Sequence, residues 1–266
     1  MSRLFPAEPI TSPHNPLLKD IRRASTRGSL TAGGFCVAEG PHLLEEAMRS
    51  GLEISAILVA ENSLKTVEKA VGNRSKTRLF VLSVALFDAY STTENPQGVL
   101  SLVRPPAWSE PDLFRKTPLI LVLDGIQDPG NTGTLLRSAE GFGATGTLLL
   151  KGTASPWNPK TLRASAGSLF RLPILSSLTP ATALQMLTRH SVAAWTTVQT
   201  GGLPVRETEL RGPCAFVIGS EAHGVSEELR KSLKGIMIPT RSVESLNAAV
   251  AGAVVLYEAA RQRGFQ

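Results

Sequence analysis

Apolar residues along the chain fall into short runs, and their spacing separates two regions. Between Phe35 and Val103, strand-like runs at Ile54 to Val59, Leu79 to Leu82 and Gly98 to Val103 alternate with helical stretches at Pro41 to Ser50, Ser63 to Val71 and Val84 to Tyr90. This alternation predicts a small α/β unit. Ahead of it, residues 11–30 read as a short helix running into a Gly-containing turn. After it, Arg104-Pro-Pro-Ala-Trp-Ser-Glu-Pro carries three prolines in eight residues, which blocks regular structure and suits a semi-rigid connector. From Pro118 onward six apolar runs recur: Leu119 to Leu123, Thr147 to Leu150, Leu172 to Leu175, Val192 to Val198, Ala215 to Ile218 and Ile236 to Ile238. Near-continuous runs of this kind predict strands buried on both faces of a parallel sheet.

The expected division is therefore a first domain over residues 1–105, a linker over 106–117 and a second domain over 118–266, all within the α/β class. Composition agrees with a folded chain: 42% of the 266 residues are hydrophobic and 19% charged. No run of about 18 apolar residues occurs, and the opening Met1-Ser-Arg-Leu-Phe-Pro has no hydrophobic signal core, so a cytoplasmic protein with no membrane partner is expected. In that compartment Cys36 and Cys214 stay as thiols. His14, His42, His190 and His223 have neither one another nor a cysteine at ligand spacing, so no metal is expected.

A net charge of +6 points to a polyanionic partner, but it suits a mildly basic metabolic enzyme equally well. The charge is spread, with 12 basic and 10 acidic residues in 1–105 and 16 and 12 in 106–266. Lys19, Arg22, Arg23 and Arg27 against Asp20 make one short basic segment. It fits an RNA-facing helix or a merely solvated one.

Three segments after strand ends in the second domain carry candidate chemistry, because ligands bind at such ends in open parallel sheets. The first is Asp124-Gly-Ile-Gln-Asp-Pro-Gly-Asn-Thr-Gly-Thr-Leu-Leu-Arg137. In it Asn131 can cap a helix whose apolar stripe is Leu135, Leu136 and Ala139, leaving Arg137 off the stripe, either as a solvated charge or as a functional one. The second is Phe216-Val-Ile-Gly-Ser-Glu-Ala-His-Gly-Val-Ser226, a buried strand and a turn whose glycines allow close backbone approach. As plain structure it is a strand-to-helix turn with Ser226 as N-cap. The third, Ile238-Pro-Thr-Arg-Ser-Val-Glu-Ser-Leu-Asn247, opens a helix (Ala248 to Tyr257) that is apolar nearly all round and hence expected to be buried. Asn247 in its first turn must either cap backbone or line a site. Gly125, Gly130 and Gly133 do not match a dinucleotide fingerprint, and no phosphate loop occurs.

Taken in order, these segments resemble the three signature motifs of the SpoU (TrmH) class of SPOUT methyltransferases. The first motif falls on Asn131 and Arg137, the second on Gly219, Glu221 and Gly224, and the third on Ser245, Leu246 and Asn247. The stretch from Asn158 to Gly167 is similar to the family's loop and helix leading into the next strand. Ser12 to Gly40 and Asn95-Pro-Gln-Gly-Val99 are similar to the L30e-like substrate-binding domain that precedes many of these enzymes. One departure is visible: the segment between Ile238 and Ser245 is a residue shorter than the family's and lacks its glycine.

The resemblance implies a C-terminal SPOUT domain with a deep trefoil knot, an exception to the unknotted rule, and a homodimer formed through that domain. It also implies S-adenosyl-L-methionine as cofactor and methylation of a ribose 2′-hydroxyl in RNA, with rRNA ahead of tRNA. A non-catalytic RNA-binding protein and a base methyltransferase on the same fold are the alternatives. By the same resemblance Arg137, Asn131, Glu221, Ser245 and Asn247 are catalytic, and Gly219, Ser220, Gly224, Ile238 and Leu246 hold the cofactor. Lys19, Arg22, Arg23, Lys160 and Arg163 are candidate RNA contacts, with solvated charge as the alternative for Lys160 and Arg163.

Overall fold

The computed structural model describes residues 7–71 and 77–264; the opening hexapeptide read above lies outside them. Two compact units are present, one of residues 1–106 and 157–170, the other of 107–156 and 171–266.

In the first unit β1 (Ala7–Pro9), α1 (Pro16–Arg27), β2 (Cys36–Glu39), α2 (Pro41–Arg49), β3 (Ile54–Ala60), α3 (Leu64–Val71), β4 (Arg78–Leu82), α4 (Val84–Asp88) and β5 (Val99–Val103) follow one another. Its sheet has the order β1-β4-β3-β5-β2, with β5 antiparallel to both neighbours. Helix α1 shows why the local sequence folds as it does. Asn15 accepts from the Leu17 amide at its start, Pro16 occupies the first turn, and Gly28 closes the end at φ 59°. Its inward face is Leu18, Ile21 and Ala24.

The second unit opens with α5 (Glu110–Leu113), then β6 (Leu119–Asp124), α6 (Pro129–Gly141) and β7 (Gly146–Leu150). The chain next contributes α7 (Pro159–Ser165) to the first unit, and returns as β8 (Ile174–Leu178), α8 (Pro180–Arg189), β9 (Ala193–Thr197), β10 (Leu203–Pro204), β11 (Cys214–Gly219), α9 (Glu227–Ser232), β12 (Lys234–Met237) and α10 (Ala248–Gln262). The seven strands pair in parallel throughout, in the order β10-β12-β9-β11-β6-β7-β8. Ile120, Val122, Ala215 and Val217 face the layer holding Ala183, Leu187 and Leu229. On the other face, α10 meets α6 and β11 so closely that a Cβ on Gly252 would lie 2.2 Å from Leu135 Cδ2. Both faces are covered, which accounts for the continuous apolar runs.

Three sequence expectations change here. The connector over 106–117 is not free of structure: Ser109 and Asp112 form a capping box, and Leu113 at its end is fully buried. The stretch 118–266 is not one continuous domain. Helix α7 buries Thr161, Leu162 and Ser165 within the first unit, where Arg163 pairs with the buried carboxylate of Glu39 at 3.1 Å. Finally, α10 is not buried all round, since Val250 and Tyr257 are 49% and 55% exposed. Among the described residues no helix is long and apolar enough to cross a membrane.

Candidate active site

The carboxyl ends of β6, β9, β11 and β12 all point the same way, so the loops that leave them share one edge of the second unit's sheet. There the three sequence segments meet. Asn131 Nδ2 donates to Glu221 Oε1, and Asn247 Nδ2 donates to the same oxygen at 3.2 Å and to Asn131 Oδ1 at 3.3 Å. Residues 116 and 90 positions apart in sequence thus form one polar cluster. Asn247 also caps α10, its Oδ1 accepting from the Ala249 and Val250 amides.

Local sequence fixes each partner. Asp128, not Asn131, is the N-cap of α6: its carboxylate accepts from the Asn131 amide at 2.8 Å, with Pro129 as the first helical residue. Asn131 therefore lies in the helix's first turn and projects its side chain away from the backbone it was expected to cap. The second segment is a tight hairpin, with Ser220 N to Gly224 O at 3.1 Å and Gly224 N to Ser220 O at 2.8 Å. A Cβ on Gly219 would lie 2.1 Å from the Gly224 carbonyl carbon, so only glycine lets the strand end pack on its own turn.

Beside the cluster opens a cavity of about 520 Å³. Gly219, Ser220, Glu221, Gly224, Ile238, Ser245 and Leu246 all line it. The short segment after Ile238 still reaches it, through Thr240 and Glu244. Sequence reasoning missed one wall, Thr197 to Thr200 after β9, although a loop after a buried parallel strand was signal enough. It also missed Arg230 of α9. The lining pairs two carboxylates, Glu221 and Glu244, with a single guanidinium and an apolar floor of Ile218, Val225 and Ile236. Such a slot suits a nucleoside-like ligand carrying positive charge, and its size falls within the roughly 300 to 1,000 Å³ usual for cofactor pockets.

Other expected residues lie apart from the cavity. Arg137 is exposed on α6 and is not among the lining residues. In the first unit Arg22 lies 4.2 Å over the Tyr90 ring and donates to the Ala89 carbonyl, and Arg23 pairs with Asp20. Lys19 is exposed on α1 and Lys160 on α7. Arg163 is committed to Glu39 and Thr92, which departs from its expected part as an RNA contact.

Comparison with known proteins bears on the same residues. The SpoU rRNA Methylase family model matches residues 118–257, and the model of an MRM3-like substrate binding domain matches 15–101. The chain is 31% identical over 250 residues to the Bacillus subtilis 23S rRNA (guanosine(2553)-2′-O)-methyltransferase RlmP, covering 93% of this chain and 97% of that one. It is 33% identical over 263 residues to an uncharacterized tRNA/rRNA methyltransferase of Synechocystis, covering 96% and 94%. Among solved structures, the SpoU methyltransferase AviRb from Streptomyces viridochromogenes in complex with AdoMet is similar at a TM-score of 0.84 and 25% identity, covering 94% of this chain and 98% of that one. Two matched models, relatives spanning nearly the whole length and the convergence of all three motifs lead to one conclusion: the chain belongs to the SpoU rRNA methylase family.

Proposed function

We propose that this protein transfers the methyl group of S-adenosylmethionine to the 2′-hydroxyl of a ribose in ribosomal RNA. The observation that carries this reading is the Asn131–Glu221–Asn247 cluster, which ties the three motif loops together at the rim of the cavity. When bound, the cofactor supplies a sulfonium-activated methyl group. The cavity's backbone at Gly219, Ser220, Gly224, Ile238 and Leu246 holds the adenosine portion, and Glu221 and Glu244 offset the positive charge.

The ribose oxygen is a weak nucleophile at neutral pH, so transfer of the methyl group to it would have to release the hydroxyl proton to solvent at the open rim of the cavity. Asn131, Glu221, Ser245 and Asn247 orient the ribose. Arg137, exposed on α6, acts on the RNA side, holding phosphate and stabilising the developing alkoxide. Lys19, Arg22 and Arg23 on α1 and Lys160 on α7 supply phosphate contacts that bind without reading sequence.

The exposed apolar face of α10, with Val250, Val254 and Tyr257 beside Phe142, supports a homodimer formed through the second unit. The family's trefoil knot and a cytoplasmic location complete the proposal. Purified protein incubated with S-adenosylmethionine and rRNA, followed by nucleoside mass spectrometry, tests it. A 2′-O-methylnucleoside is expected. A base-methylated product selects a base methyltransferase, and no detectable S-adenosylmethionine binding in calorimetry selects a non-catalytic RNA-binding protein. Arg137→Ala is expected to lower methyl transfer at least about 100-fold while cofactor affinity measured by calorimetry stays near wild type.

A further inference from the structure

Asp124 is the last residue of β6, pairs in register with Gly219 of β11, and is only 8% exposed. Nothing in the transfer chemistry above uses it. Its Oδ2 accepts a hydrogen bond from the Ser226 amide at 2.7 Å, two residues beyond the hairpin that carries Glu221. Ser226 is the N-cap of α9, yet its own hydroxyl caps nothing, and Ser226 Oγ is buried without a hydrogen-bond partner. A side chain from the neighbouring strand therefore satisfies the N-cap residue's own amide, the donor that a capping box leaves to the third helical residue, here the apolar Leu229, and a carboxylate is well suited to the electropositive start of a helix.

From this we infer that Asp124 is a positioning residue for the cofactor cavity, holding the 220–224 hairpin shut from behind. The hairpin has three attachments. Gly219 and Gly224 hold its neck by direct backbone packing, Glu221 ties its tip to Asn131 and Asn247, and Asp124 anchors the chain where it leaves. The first two are properties of the hairpin and the motif cluster themselves. The third comes from β6, the strand whose following loop leads into α6 and Asn131. Gly125, the very next residue, is held in turn, because its amide donates to Thr153 Oγ1 at 3.1 Å and Thr153 Oγ1 donates to the Leu123 carbonyl at 2.9 Å. The end of β6 is thus a fixed post. With Asp124 removed, the Ser226 amide loses its acceptor, the entry to α9 loosens, and the hairpin that walls the cavity with Ser220, Glu221, Ala222, His223 and Gly224 no longer has a fixed exit. The role rests on the reading of that cavity as the S-adenosylmethionine site.

Calorimetric titration of wild type, Asp124→Ala and Asp124→Asn with S-adenosylmethionine and, separately, with rRNA tests the role. Asp124→Ala is expected to bind the cofactor about tenfold more weakly, while its rRNA affinity is unchanged. Asp124→Asn, which keeps one acceptor oxygen, is expected to recover to within threefold of wild type, a rescue that a role in bulk packing or net charge does not produce. A wild type that binds no cofactor overturns the reading of the cavity and the positioning role with it. A wild type that binds, together with Asp124→Ala binding equally well or Asp124→Asn binding as weakly as Asp124→Ala, overturns the positioning role alone. A measurement free of variants guards against Asp124→Ala failing to fold. The Ser226 amide of the wild-type protein is expected to resist hydrogen exchange even without ligand, and rapid exchange there overturns the role.

Discussion

Burial pushes the Cys36 thiol up from 9.0 to about 12, with backbone hydrogen bonds at Cys36 and Val103 opposing the shift only in part. Cys214 is raised for the same reason, with the Arg263 guanidinium at 3.2 Å opposing the shift only in part. Neither thiol is therefore a nucleophile in the folded protein. Native protein at pH 8 is expected to resist alkylation by iodoacetamide at both positions and to react at both once unfolded, as read by mass spectrometry. A raised pKa means that the folded state holds its proton more tightly, so the stability Cys36 contributes is complete below pH 9 and lost as pH climbs towards 12. Glu39 is also buried, and it is surrounded by donors: the Thr92 amide at 3.0 Å, Thr93 Oγ1 at 3.0 Å and Arg163 at 3.1 Å, with the Ser91 hydroxyl beside them. Arg163→Ala is expected to lower stability by about 2 kcal/mol, the worth of a hydrogen bond to a charged group. Chemical denaturation reads that loss, and rRNA affinity is expected to stay unchanged because the guanidinium is spent on protein.

At the scale of elements, the sequence made most of this fold readable, since caps and periodicity are local. Asn15, Pro16 and Gly28 mark both ends of α1, and the apolar runs locate β6, β7, β9, β11 and β12 to within about two residues. What escaped detection lacks a local signal. β1 is three residues with an exposed Glu8 and Pro9, and β10 is two residues, so neither shows any periodicity and both depend on a neighbouring strand for their hydrogen bonds. Asn131 was misplaced because Asp128 and Asn131 are both good caps, and only the position of Pro129 at the first helical turn decides between them. The motif residues are legible as types, and that their loops meet is what the family resemblance implies and not something spacing shows, since contacts spanning 90 and 116 residues leave no trace there. Gly219 shows what such meeting demands. Gly219→Ala sets a methyl against backbone that cannot yield, so the hairpin is expected to open and cofactor affinity to fall more than about tenfold, equivalent to about 1.4 kcal/mol in calorimetry. Thermal melting is expected to stay cooperative, because the strands beneath are untouched.

For the molecule as a whole, the face of α10 is the surface proposed above for a second copy. Asn131 and Asn247 line the same apolar groove as Val250, Val254 and Tyr257, so the polar cluster lies at the border of the surface proposed for the second copy. Tyr257→Glu places a charge in that surface, and if the proposed dimer forms there the variant is expected to sediment as a monomer where the wild type sediments as a dimer; a wild type that is itself monomeric sinks the dimer proposal.

The excursion of residues 157–170 into the first unit has a bearing on how the protein is made. A nascent chain emerges from its amino end at roughly 5 to 20 residues per second, and domains ordinarily fold as they appear. Here the first unit is missing α7 when residue 106 leaves the ribosome, and Glu39 lacks its guanidinium until Arg163 follows. Several seconds of synthesis separate the two events at those rates, during which β6, α6 and β7 are already exposed to the cell. Transplanting the first unit onto another protein, for the same reason, needs a second piece of the gene, residues 157–170, to be carried with 1–106.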